Sequence, residues 1–330
     1  MKLTKHLRVI PNAWHFRFKV GFRVTVAWFR LGGSVAHTLM QRYTTKLPLI
    51  KEMLLSIFII EKTESNVMNN IINNFYDEVD FNSFANCGVG KDDCVGCLSD
   101  NYFEATEINY DCENKRKLYV VRYLPVHVKE VQSALSLIST KRANELLGKR
   151  VLNVICLGGG PGTDSAAFNK WLVSQRLFDK KSLTRVNVVR VDRCEEWNEI
   201  SPRIIKHAFP DDLVVKYTKS NHDLTKHNLN TSIKADLVIA SYLLSEISLE
   251  DIPKVAENIK NNITDKATIV INDRNQEEVR QRIEKLYELL GCDFELDSTQ
   301  FHCGISIDNA IVENAKPKLL TKSIRYAGEL

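Results

Sequence analysis

Val154-Ile-Cys-Leu-Gly-Gly-Gly-Pro-Gly-Thr-Asp164 decides how this chain is read. The run Val151–Leu157 is short and almost wholly apolar, as expected for a strand buried on both faces. It passes into three glycines and a proline, residues that let a chain turn tightly and let a ligand approach the backbone. Helical spacing follows, with apolar residues at Phe168, Trp171, Leu172 and Leu177. Free amides at such a helix start suit an anion, and Thr163 or Asp164 is placed to cap it.

Downstream the same alternation repeats. Strands are expected at Val186–Val191, Leu213–Tyr217, Ala235–Ala240 and Thr268–Asn272, with closing strands at Phe294–Leu296 and Gly304–Ile307. Gln276–Leu290 is an amphipathic helix stopped by Gly291. Strands alternating with helices imply βαβ units, hence an α/β fold with a doubly wound, mostly parallel sheet.

Glycine turns of this kind also serve dinucleotide enzymes, whose spacing is Gly-x-Gly-x-x-Gly. Here Gly158, Gly160 and Gly162 give Gly-x-Gly-x-Gly. That spacing resembles the first motif of class I (Rossmann-like) S-adenosylmethionine-dependent methyltransferases, where the turn holds the methionine part of the cofactor. Val191-Asp192-Arg193 ends the second strand, where a carboxylate can accept both ribose hydroxyls. Asn221-His-Asp223-Leu224 falls where the family contacts adenine, and Ala235–Ile247 resembles its fourth-strand motif, with Ser241 and Tyr242 at the strand end. The resemblance covers residues 115–330 and implies a seven-stranded class I methyltransferase-like sheet binding S-adenosyl-L-methionine. Its binding residues would be Gly158, Gly159, Gly160, Pro161, Gly162, Asp192, Asp223 and Ser241. One departure stands out: the family carries an acid two places before the first glycine, and this chain has Cys156.

The acceptor is not legible. Residues 241–244 read Ser-Tyr-Leu-Leu, unlike the Asn/Asp-Pro-Pro-aromatic motif of amino-group methylases, and no Pro-Cys nucleophile follows the fourth strand. An RNA base, a protein side chain and a small molecule all stay open, and no catalytic residue is assigned. Two other classes compete: a catalytically degenerate binding protein of the same fold, and an NAD-dependent oxidoreductase, which the glycine spacing disfavours.

The N-terminal part differs in character. Residues 1–51 hold ten Lys and Arg and no acid, although the whole chain of 330 residues carries a net charge of only +4. The basic character therefore belongs to a segment, not to the body, and can contact RNA phosphates non-specifically. Residues 1–46 read as a basic extension, with a mitochondrial targeting segment as the second reading and a cytoplasmic location as the first. From His15 to Trp28 apolar residues alternate as in a β-strand. Residues 47–114 form a helical and cysteine-containing region: helical over 47–80, loop-like over 82–114. Leu47–Ile60 is too short to span a membrane. Cys87, Cys94, Cys97 and Cys112 could together fill a tetrahedral zinc site, with reduced thiols as the alternative. Residues 116–148 hold an apolar run at Leu118–Leu124, then Pro125 and a helical pattern stopped at Gly148.

Overall fold

The computed structural model describes residues 13–17, 23–27, 67–82, 93–103, 110–176, 182–206 and 213–330. The chain divides into two units, residues 1–62 and 63–330. In the first, β1 (Ala13–Arg17) and β2 (Arg23–Ala27) pair antiparallel, Phe16 opposite Val24. The alternation read as one strand is thus a hairpin, because its two ends pair with each other. The expected helix at Leu47–Ile60 lies outside the described residues, as does Cys87.

The second unit is built on a seven-stranded sheet in the order β5-β4-β3-β6-β7-β9-β8. Its strands are β3 (Val151–Leu157), β4 (Arg185–Asp192), β5 (Val214–Asn221), β6 (Ala235–Ser241), β7 (Ile263–Arg274), β8 (Asp293–His302) and β9 (Leu320–Glu329). β3 to β7 are parallel, and β9 runs antiparallel between β7 and β8. Strand side chains alternate between two cores. Leu152, Val154 and Cys156 face one, shared with Phe168 and Trp171; Ile155 and Leu157 face the other, shared with Val255 and Ile283.

A helical segment at 67–77 is followed by α1 (Cys94–Phe103), α2 (Glu113–Leu135) and α3 (Thr140–Leu147). α4 (Thr163–Arg176) and α5 (Trp197–Ile205) contribute to the same core as α2. α6 (Ile252–Lys260) and α7 (Glu277–Leu290) pack on the opposite face, and α8 (Asn309–Ala315) precedes β9. Helices on both faces leave the central strands buried on both sides, which is why they read as unbroken apolar runs.

Three expectations are corrected. The loop expected over 82–114 contains α1, whose Val95 and Leu98, one turn apart, are both buried. Residues 116–148 are not interrupted at Pro125: α2 runs through it. A proline inside a helix costs about 3 kcal/mol, but every α2 residue from Leu118 to Val128 is buried and packing outweighs that cost. Gly304–Ile307 is not a strand; the closing strand is Leu320–Glu329.

Candidate functional site

The chain order reverses between β3 and β6, which lie side by side. At such a switch point the loops leaving two neighbouring strands diverge to opposite faces and open a crevice at the carboxyl ends. A cleft of about 300 Å3 lies there. It is lined by Gly158, Gly159, Gly160 and Pro161 after β3, Asp192 at the end of β4, Asp223 after β5 and Ser241 ending β6. Seven of the eight expected binding residues thus converge on one cleft. Gly162 does not line it. With φ +97° it needs glycine, and a Cβ there would meet the Ile205 side chain at 3.2 Å, so it seats the turn on α5.

Asp192 ties the glycine turn to β4. Its Oδ2 accepts the Gly160 N–H at 2.7 Å and its Oδ1 the Cys194 N–H at 2.9 Å. Burial pushes its carboxyl up, while those amides and the Arg190 guanidinium, 3.9 Å away, pull it down. Arg190 is fully buried beneath the turn; it donates to the Gly160 carbonyl at 3.1 Å and to the Asn198 side chain. A Cβ on Gly159 would stand 2.7 Å from the Arg190 Cγ. Sequence reasoning missed Arg190 because it sits inside an apolar strand pattern.

Asp223 accepts from the Thr225 N–H at 3.0 Å and its hydroxyl at 2.6 Å, a turn-forming pattern, while still lining the cleft. Despite partial burial its carboxyl is lowered, by those bonds and by Lys226 at 3.3 Å. Tyr110, Tyr119 and Trp197 form an aromatic wall with ring centroids 4.9–5.5 Å apart. Of the three, Tyr119 belongs to the apolar run Leu118–Leu124. Tyr110 and Trp197 come from outside the motifs.

Beyond β6 the cleft is lined by His127, Tyr242, Glu246 and Arg274. Tyr242 has a left-handed backbone (φ 55°), and its ring stacks on His127 at 4.3 Å. Its hydroxyl donates to Glu130, which is fully buried, at 3.0–3.1 Å. Burial raises Glu130 to about 7 and lowers His127 to about 3, so the ring stays neutral. Glu246 faces Arg193 at 4.0 Å with its side chain 30% exposed.

Asp164 also lines the cleft. It belongs to α4's first turn with Thr163, so neither residue stands before the helix as a cap would. Cys156, at the position where an acid was expected, is buried in the core with its Sγ 3.7 Å from the Ser165 hydroxyl, and it does not line the cleft. Among the described residues no group of three or more His, Cys, Asp or Glu side chains is gathered as a metal site. Cys94 and Cys97 share α1, and Cys112 is exposed before α2.

No protein-family model matches the chain, and no curated protein matches its sequence. Among solved structures it is similar to an N-methyltransferase, NodS, from Bradyrhizobium japonicum WM9 in complex with S-adenosyl-L-homocysteine (11% identity, TM-score 0.40, 72% of this chain and 97% of that one). It is similar to magnesium protoporphyrin IX methyltransferase from Synechocystis PCC 6803 with bound cofactor (13%, 0.40, 73% and 98%). A third is an S-adenosylmethionine-dependent methyltransferase from Clostridium acetobutylicum ATCC 824 (12%, 0.38, 62% and 92%). The fold is the methyltransferase-like α/β fold. Its seven strands, helices on both faces and antiparallel β9 define it independently of those alignments.

Proposed function

We propose that this protein is an S-adenosylmethionine-dependent methyltransferase, with residues 115–330 as the catalytic region. The observation that carries this reading is the convergence of Gly158–Pro161, Asp192, Asp223 and Ser241 on one cleft at the switch point of the sheet. The residues fit the cofactor's chemistry. The turn after β3 offers glycine backbone to a ligand, since Gly158, Gly159 and Gly160 line the cleft. Asp192 presents two oxygens to adjacent hydroxyls, and Tyr110, Tyr119 and Trp197 supply apolar surface.

When bound, S-adenosylmethionine supplies a methyl group on a positively charged sulfur, open to an in-line nucleophile. The protein's own contribution is to orient and to exclude water. Tyr242, locked by Glu130 and stacked on His127, walls the far side of the cleft, where an acceptor would enter. Glu246, its carboxyl raised to about 7 chiefly by burial, and Arg274 line the cleft there and face an acceptor.

The test is methyl transfer from radiolabelled S-adenosylmethionine into fractionated cellular RNA, protein and small molecules. Label in one class, lost in Asp192→Ala, supports the enzyme and names the acceptor. Cofactor binding without label in any class favours a binding protein of the same fold.

A further inference from the structure

Two carboxylates flank the glycine turn, and only one has its partners. Asp192 is matched by two backbone amides. Asp164 is 1% exposed, lines the cleft, and has no hydrogen-bond partner for its Oδ2 among the described residues. Leaving a buried carboxylate oxygen unmatched costs a folded protein free energy, so such a group is retained where a ligand completes it. Burial, and then the neighbouring Asp192 carboxylate, push the Asp164 carboxyl well above the usual carboxylate range, a shift that a cationic ligand group beside it would reverse. Cys156, two residues before the first glycine, is turned into the core and cannot offer a negative charge to the cleft.

We propose that Asp164 binds the ammonium group of the ligand's amino-acid portion, supplying from α4's first turn the negative charge that position 156 lacks. This rests on the cofactor reading above. A primary ammonium brings three donors and a positive charge, the complement of an unmatched buried carboxylate. A neutral ligand of the same shape leaves the oxygen unmatched. The site is therefore selective for adenosyl thioethers that carry a free amine.

Calorimetric titration of the full chain tests this with two probes, S-adenosylhomocysteine and 5′-methylthioadenosine, which shares the nucleoside and thioether but has no amino-acid portion. Asp164→Asn is expected to weaken S-adenosylhomocysteine by about 10- to 100-fold, the worth of a charge-assisted bond, and to leave 5′-methylthioadenosine within about twofold. Asp164→Ser is a second variant, so that a folding defect in one leaves the other to decide. In the wild-type protein, acetylating the amine of S-adenosylhomocysteine is expected to weaken it comparably. Unchanged S-adenosylhomocysteine affinity in a folded variant, equal loss for both probes, or indifference to acetylation overturns the assignment. Failure of the wild-type protein to bind either probe overturns the cofactor reading instead.

Discussion

Asp192 serves structure and site at once. Replacing it with Ala strands the Gly160 and Cys194 amides and leaves Arg190 without its carboxylate. Each stranded buried donor costs about 1–3 kcal/mol. Asp192→Ala is therefore expected to lose stability in urea unfolding as well as cofactor affinity; unchanged stability would mean the amides find other partners. Gly159→Ala places a Cβ 2.7 Å from the Arg190 Cγ, whose guanidinium is held at Gly160 and Asn198. Overpacking of that kind costs about 1–3 kcal/mol, readable as a lowered urea midpoint. The place of Asp192 on the cleft was legible because it ends a parallel strand, where ligands of open α/β sheets gather. Arg190 and Asp164 were not, since each follows from how β4 and α4 are packed rather than from any spacing.

Elements were legible where one period dominates. β3, β4 and β6 are buried on both faces and read as apolar runs, and α7 shows its stripe and its stop. Gly291 ends α7 in a left-handed conformation (φ 76°), its N–H bonding to Tyr287 and Glu288 carbonyls, with nothing near a prospective Cβ. Gly291→Ala is thus a clean backbone test: a loss of about 1–2 kcal/mol is expected, with Gly291→Asn losing less because Asn tolerates this region. Equal stability of all three would refute the cap. Periodicity failed at α1 and in the first half of α2. The first lies in a glycine- and aspartate-rich stretch, and the second is buried almost all round, so no polar face marks it as a helix. β9 was missed because a strand threaded between β7 and β8 takes its place from pairing on both sides.

At the scale of the molecule, alternating strands and helices gave the parallel layer, but strand order and the placing of β9 come from tertiary pairing. The same packing buries Glu130 between α2 and the sheet. Its carboxyl is raised to about 7 from 4.5, so the protonated form is favoured in the fold. That stability is fully present below about pH 4.5 and lost as pH rises through 7. His127, lowered to about 3 from 6.5, acts in the opposite sense: its contribution is full above pH 6.5 and fades as pH falls towards 3. Glu130→Gln removes only the first effect and keeps an acceptor for Tyr242. Relative to the variant, the wild type is expected to lose on the order of 3 kcal/mol between pH 4.5 and 8, measured by urea unfolding. Parallel pH profiles would contradict the burial of an ionisable Glu130.

The central claim is that the carboxyl-end cleft of β3, β4, β5 and β6 is a site for S-adenosylmethionine. Calorimetric titration of the purified full chain with S-adenosylhomocysteine, with NADH as the control, tests it most directly. Micromolar binding of S-adenosylhomocysteine and none of NADH is the predicted result. A folded protein that ignores S-adenosylhomocysteine, or that prefers NADH, would contradict it.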